Sequence, residues 1–545
     1  MKVFKSIILV ILLILAGFQA VFAENDEPQL ILIHLDAASS YYVNQEMAKG
    51  NLPNLESYFG EHGRIDYTIT YFPSKTPAVI SSLRYGETVR EIPLPGWGWV
   101  TDRTEGTVVK TVGTFLRMVL STSRISTSNI IYGISGFHWL AGPALVNTAD
   151  YLKDYNILQF YYYNVDTQGH FNGEEAYLKE LLKFDCHFGK LAERLDDDVN
   201  VIVYADHGMT FGEGIDVDEY INKWMGDELN YYSYPSLFLK DLSKAEYYAK
   251  KLVEETDIDF TFFRSSTDQV KGFHNDAVIF FNKNYEDVTI NYEYEGQDIL
   301  GYYNKGYDGE YLTQDEWLSF SHDLHYPMAP VSIFHHLDHP SASDVVTLFE
   351  ETKFPRTNYG SSGNHGGFTY RDMTVPLFLR GPDLEEFYNQ NYYWLPNLFQ
   401  DIDGIDFDQY PPRERNYLSS RYNFRKNQTV TDFNFSPKYR IKYRLTAYNS
   451  DFNNPTTFDS VEFSGMGDMF RSYLTRFWVG LGVEAKNSKL NPFFKLQYDI
   501  HLRKFVFHNT YTTQQKFEFR LSYEATPWLA LETVNFTSLG IRLDF

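Results

Sequence analysis

Seven polar residues of this chain have types and surroundings from which a metal-assisted reaction could be built: Asp36, Thr76, Asp166, His170, Asp206, His207 and His365. Six are carboxylates or imidazoles, a mixed oxygen and nitrogen set that suits zinc and is compatible with manganese or another first-row metal. Asp166 and His170 belong to one D-x-x-G-H unit and Asp206 and His207 are adjacent, so two neighbouring metal sites fit the spacing better than one. Thr76 precedes Pro77 and the run AVISSL. That pattern predicts Thr76 as a helix N-cap with Pro77 in the first helical position. A hydroxyl at the positive end of a helix dipole is favoured both as an alkoxide and beside an incoming phosphate. Taken singly, each residue has a plainer reading, because strand-ending Asp and His residues often only form turns and caps far outnumber nucleophiles.

The elements that must position these residues are apolar runs. Asn200 to Met209, NVIVYADHGM, is β-branched until it stops at Asp206, His207 and Gly208, as a buried parallel strand does at its carboxyl edge. Gln29 to Leu35, QLILIHL, ends at Asp36, and Asn156 to Val165, NILQFYYYNV, runs into Asp166 and His170. Five of the seven residues therefore follow or end predicted strands, and one sheet edge would collect them. Asp372 to Pro382, DMTVPLFLRGP, reads as a fourth strand, preceded by the glycine-rich loop that carries His365. Tyr177, Leu181, Phe184, Phe188, Leu191 and Leu195 form one stripe of a predicted helix over Glu174 to Leu195, and Cys186 and His187 within it read as structural. Residues 211–355 have a weaker pattern, with a helix near Ser243 to Glu255 and a strand at Asp276 to Phe281, and read as an insertion or cap shaping the substrate site.

The pieces LDA, FPSKTPAVISSLRYG, NVDTQGH, VIVYADHGM and NHGGFTYRDMTVPLFLRGP, in that order, resemble the alkaline phosphatase superfamily and its type I phosphodiesterase/nucleotide pyrophosphatase branch, over roughly Gln29 to Ile405. The resemblance implies an α/β sandwich with a mostly parallel central sheet and a cap insertion. It implies Thr76 as a catalytic nucleophile and two divalent metal ions, one held by Asp166, His170 and His365, the other by Asp36, Asp206 and His207 beside Thr76. The expected activity is hydrolysis of phosphodiesters or nucleotide pyrophosphates through a phosphothreonine intermediate. Phosphomonoester hydrolysis, phosphoryl transfer to an envelope acceptor and a non-catalytic envelope role are the alternatives. The chain departs from the family where an asparagine contacts the phosphoryl oxygens: the region reads REIPLPGWGWVTD, with Trp97 or Gly98 at the place. Lys75 is a substitute donor, and Trp97 and Trp99 are candidates either to stack on a base or to pack on the cap.

The remaining features bear on location. Lys2, Lys5, the apolar core Ile7 to Leu15 and VFA before Glu24 read as a signal peptide over residues 1–23, too short in its apolar core for a membrane span. No cysteine near that site suits a lipid anchor, and the single Cys186 forms no internal disulfide, as in a bacterial envelope protein. The catalytic module is expected over 24–409 and a second module over 410–545. From Pro411 onward there are 19 Lys+Arg against 12 Asp+Glu, whereas the preceding part has 29 against 60. So acidic a first module argues against nucleic-acid binding by bulk charge, and a small phosphoester or nucleotide is the expected partner.

In the second module the period changes to two. Tyr439, Ile441, Tyr443, Leu445 and Ala447 alternate with Arg440, Lys442, Arg444 and Thr446, and Phe494, Leu496, Tyr498 and Ile500 alternate with Lys495, Gln497, Asp499 and His501. A soluble β-sandwich would alternate too. The aromatic faces, the signal peptide and the ending Ser538 to Phe545, which resembles the terminal signal of bacterial outer-membrane barrels, favour a small membrane β-barrel of about eight strands. The protein is then expected in the periplasm or at the cell surface, attached to the outer membrane.

Overall fold

A computed structural model describes residues 29–85, 95–102, 107–109, 113–114, 138–152, 157–356, 361–402, 416–438, 441–451, 458–471, 475–502, 504–514, 517–526 and 528–544. The signal-peptide reading of 1–23, residues 90–94 of the departing segment, the junction near 409–410 and Phe545 lie outside the described residues. The chain divides into two compact units, one of Leu30–Val146 and Ile157–Phe407, the other of Met1–Gln29, Asn147–Asn156 and Asp408–Phe545.

The first unit is α/β. Its central sheet has six strands: β1 (Gln29–Leu35), β2 (Arg64–Ile69), β3 (Ile157–Tyr162), β4 (Val199–Tyr204), β5 (Thr374–Arg380) and β6 (Tyr392–Trp394), in the order β6-β2-β5-β4-β1-β3. Strand β1 is parallel to β3, with His34 opposite Tyr161, and β6 is parallel to β2. Strand β5 runs antiparallel to both its neighbours. The sheet is therefore mixed around β5, and it is the start of β5, not its end, that lies near the carboxyl edges of β1 and β4. The side chains of β4 are buried along its whole length, which is why the sequence is apolar without alternation.

Two helices carry residues of interest. In α1 (Thr76–Tyr85) the helix begins one residue earlier than predicted, because the Lys75 carbonyl accepts from the amides of Ala78 and Val79 at 3.0 Å each. Lys75 is thus the cap, and the Thr76 hydroxyl is not used in capping. Helix α2 (Asn164–Ala192) starts ten residues before the predicted Glu174 and kinks at Gly173, whose φ of 80° and ψ of −173° only glycine adopts readily. Asp166 and His170 therefore stand on consecutive turns of one helix face rather than in a strand-end loop. The stripe Tyr177, Leu181, Phe184, Phe188 and Leu191 is buried, while Cys186 is exposed.

Between β4 and β5 the chain builds a seven-stranded antiparallel sheet, ordered Thr289–Gly296, Ala277–Asn284, Gln269–His274, Phe260–Arg264, Val345–Leu348, Ser236–Leu239, Leu229–Ser233. Helix Ala245–Glu255 packs Tyr248, Ala249, Leu252 and Val253 into a core with Leu237, Phe263 and Val345.

The second unit contains a closed barrel of ten strands, from Tyr417–Asn423 to Ser538–Asp544, which pair with each other to close it. Ten strands fit where eight were expected because the hairpins are tight. Asn487 and Ser488, both at positive φ, turn strand Thr475–Lys486 directly into Lys489–Leu502. Burial is inverted relative to a water-soluble sandwich: Lys442, Arg444, Lys495, Gln497 and Asp499 are buried inside, whereas Tyr443, Leu445, Phe494 and Tyr498 are exposed. Among the described residues no helix is long and apolar enough to cross a membrane, which says nothing of crossing by strands.

Candidate active site

All seven predicted residues meet at one edge of the central sheet. Asp36 directly follows β1, Asp206 and His207 follow β4, Asp166 and His170 stand in the first turns of α2, Thr76 opens α1, and His365 arrives from the loop before β5. Thr76 Oγ1 lies 3.1 Å from His207 Nε2. His207 Nε2 is 3.3 Å from Asp206 Oδ2 and 3.5 Å from Asp36 Oδ1. On the other side, Asp166 Oδ1 is 3.1 Å from His170 Nε2 and 3.5 Å from His365 Nε2, and the two imidazole nitrogens are 3.1 Å apart. The His207 and His365 rings stack at 3.6 Å, so the two groups adjoin.

The hydrogen bonds fix how these side chains point. His170 Nδ1 faces the Gly363 carbonyl at 2.9 Å, His365 Nδ1 faces the Ser74 carbonyl at 2.9 Å, and His207 Nδ1 faces the Gly208 carbonyl at 3.0 Å. A carbonyl only accepts, so each Nδ1 carries the proton and each neutral ring turns an Nε2 lone pair into the site. Burial, first of all, pushes His207 and His365 below the usual imidazole range, which keeps them neutral. Burial also acts downward on His170, but the adjacent Asp166 carboxylate outweighs it and the net shift is up. Burial and the neighbouring Asp206 raise Asp36 well above the carboxylate range. Burial pushes Asp206 upward too, yet His207 and His34 hold it below that range.

This donor set fits divalent cations. Asp36 Oδ1, Asp166 Oδ1 and Asp206 Oδ2 are buried without a hydrogen bond among the described residues. Two imidazole lone pairs aimed at each other across 3.1 Å, and two buried carboxylates that both face His207, are relieved by a positive ion. The distances gather Asp166, His170 and His365 as one set and Asp36, Asp206 and His207, beside Thr76, as the other. Three-residue alternatives overlap them, Asp166 with His207 and His365, and His34 with Asp36 and Asp206.

His34 is the residue that sequence reasoning passed over. It lay inside the apolar run QLILIHL, where a lone imidazole gives no spacing signal. The available clue was its position two before Asp36, hence on the same strand face. Gly208 lets the backbone approach the Arg371 carbonyl, 1.8 Å from where a Cβ would sit. Lys75 is buried, brought down to about 8 by burial, and has no ion pair or hydrogen bond from its ammonium among the described residues. Its Nζ stands 5.4 Å over the Tyr234 ring, and its charge reaches Asp166, His170, His365 and Asp372. Trp99 is buried against Ile80, Val100 and Phe238, with Trp97 and Tyr231 packed on the same cluster. Trp99 thus packs rather than offering a face to a base.

Comparison with curated proteins gives no match. Residues 121–356, which include Asp166, His170, Asp206 and His207, match the family model of type I phosphodiesterases/nucleotide pyrophosphatases, a branch of the alkaline phosphatase superfamily.

Proposed function

We propose that this chain is a two-metal hydrolase of phosphodiesters or nucleotide pyrophosphates that works through a phosphothreonine at Thr76 and is attached to the bacterial outer membrane by its barrel. The family match supports phosphoester hydrolysis in general. The observation that carries the finer reading is the hydroxyl of Thr76 at the start of α1, facing six convergent carboxylate and imidazole donors.

Divalent ions held by Asp36, Asp206 and His207 and by Asp166, His170 and His365 would supply the charge that acidifies the hydroxyl and offsets charge on the departing oxygen. The chain's own groups do the rest. Thr76 Oγ attacks phosphorus in line, its bond to phosphorus forms as the bond to the leaving oxygen breaks, and the alcohol or nucleotide departs. Water then attacks phosphorus and Thr76 leaves as the free hydroxyl. The helix N-terminus favours the negative charge held there throughout, and the Lys75 ammonium adds a positive charge inside the same pocket.

The barrel supports the attachment. Its outward side chains are apolar and aromatic, which water disfavours and hydrocarbon accepts, and closure leaves no strand edge unpaired. The test of the chemistry is acid quenching during turnover of a nucleotide diester, followed by mass spectrometry. An adduct of the phosphoryl group with its remaining ester substituent on the peptide containing Thr76 is expected, and turnover with no adduct at any quench time would exclude the covalent route. Fractionation tests the attachment: the full-length protein is expected in outer membranes with heat-modifiable gel mobility, and recovery in the soluble fraction would exclude it.

A further inference from the structure

Beneath the donor set lies a layer of aromatic side chains that the reaction itself does not use. His34, on the same face of β1 as Asp36, is almost wholly buried between Tyr161 of β3, at 4.4 Å between ring centres, and Tyr204 of β4, at 5.0 Å. Its Nε2 stands 2.9 Å from Asp206 Oδ1, and the Ala37 amide donates to the same oxygen at 3.3 Å. The other oxygen of Asp206 is the unbonded one that faces His207. Asp36 repeats the arrangement: the Tyr161 hydroxyl donates to Oδ2, and Oδ1 is unbonded and faces His207. In each carboxylate, then, one oxygen is turned to the strands and one is presented: Tyr161 hydrogen-bonds Asp36 Oδ2, while Asp206 Oδ1 accepts from the Ala37 amide and has His34 Nε2 packed against it outside hydrogen-bond geometry. His34 and Tyr161 sit opposite each other in the β1–β3 register and stack on one another.

We propose that His34 and Tyr161 act as a positioning pair that fixes which oxygen of Asp206 and of Asp36 is offered to the cation beside Thr76, and thereby sets the affinity of that cation alone. A carboxylate free to rotate in a buried site loses part of its binding strength to the search for the right orientation, and partners behind metal ligands are typically worth about 10–100-fold in metal affinity. Among the described residues no hydrogen bond, ion pair or ring contact joins Asp166, His170 or His365 to either ring, so the second cation is expected to keep its affinity. The inference rests on the two-cation reading but not on the chemistry performed there, since it is read out by metal binding.

The experiment uses the full-length protein stripped of metal and titrated with cobalt(II), with competition against a chromophoric chelator and the visible spectrum as readouts. Tyr161→Phe keeps the stack and removes only the hydroxyl; His34→Phe keeps an aromatic ring and removes the nitrogen; His34→Gln returns an N–H at the position of Nε2. Both phenylalanine variants are expected to weaken one of two cobalt sites about 10–100-fold and to change its absorption, with the other site unchanged and with His34→Gln largely restored. Unchanged affinity at both sites in Tyr161→Phe and His34→Phe would overturn the proposal. So would equal weakening of both sites, which signals general loosening, or a His34→Gln variant as weak as His34→Phe, which would make His34 itself a ligand. Two cobalt sites that behave as expected in a protein lacking any phosphoesterase activity would uphold this pair while refuting the proposed function.

Discussion

Thr76 Oγ1 and His207 Nε2 face each other across 3.1 Å, although 131 residues separate them in sequence. The hydroxyl is therefore part of the donor cluster and not of the helix cap. Thr76→Ala is expected to lower kcat/KM for a nucleotide diester by several orders of magnitude, because direct attack by water must replace the nucleophile. Bound metal, measured by elemental analysis, should stay the same, since six other donors remain. Wild-type activity in this variant would show that Thr76 is a bystander.

His365 and His170 share one oxygen of Asp166 as a neighbour. Removing either ring leaves that group with two donors, too few for a tight site. His365→Ala is expected to take the metal content of dialysed protein from two ions toward one. A ratio unchanged from wild type would remove His365 from the ligand set.

Acid should destabilise the first unit through a histidine that is not one of the donor residues. His336 is buried with Nε2 between Ser343 Oγ at 3.2 Å and Ser236 Oγ at 3.4 Å, its ring edge-on to Phe72. Burial, with His339 second, brings it down to about 3. The unfolded chain takes up a proton near pH ~6.5 that the folded one refuses, so stability is full above that pH and declines as pH falls toward the folded value. Urea titrations of wild type between roughly pH 6 and 4 should show a slope larger than that of His336→Gln by about one proton, or ~1.4 kcal/mol per pH unit. Equal slopes would show that His336 titrates normally.

The barrel makes opposite demands on its two faces. Leu481, 71% exposed near the middle of strand Thr475–Lys486, is expected to tolerate arginine poorly, at a cost of about 2–4 kcal/mol if it faces hydrocarbon at mid-bilayer. On the inside, Asp432 is fully buried and meets Arg421, Arg444 and Arg520, with Thr446 donating at 2.6 Å. Asp432→Asn leaves three guanidinium groups without their shared counter-charge and should cost about 3–5 kcal/mol. Both are read from urea unfolding in lipid vesicles followed by heat-modified gel mobility. A Leu481→Arg variant as stable as wild type would mean that this face meets water.

How far the sequence led differs by element. The core strands were legible because β1 and β4 are largely apolar, apart from Gln29 and His34 in the first and Asn200 in the second, and lead into polar residues, and the donor set followed from those endings. Helix α2 was placed ten residues late, because D-x-x-G-H looks like a loop until Asp166 and His170 are seen as helical neighbours, and because Gly173 breaks the periodicity at the kink. The seven-stranded sheet was hidden by half-buried strands such as Leu229–Ser233, all of whose residues are intermediate in exposure and give no alternation. His34 was invisible for the opposite reason: nothing in a buried apolar run marks one imidazole as facing a carboxylate. The barrel was clear in its period and wrong in its count, since two-residue turns leave little trace.

The charges inside the barrel have a consequence for traffic. The space lined by Arg421, Arg444, Tyr448, Glu462, Lys495 and Glu518 amounts to about 20 Å³, room for about one water molecule. Asp432, Glu532 and Asp499 each draw several donors inward, Glu532 from Ser419 and Ser522, Asp499 from Trp478, Gln497 and His508. A solute the size of a nucleotide does not fit that space among the described residues. In a membrane that stretch of the interior would hold water and not an ester, so on the proposed function the route of a nucleotide diester to Thr76 would not run through it, and the phosphate monoester and alcohol released would not leave by it.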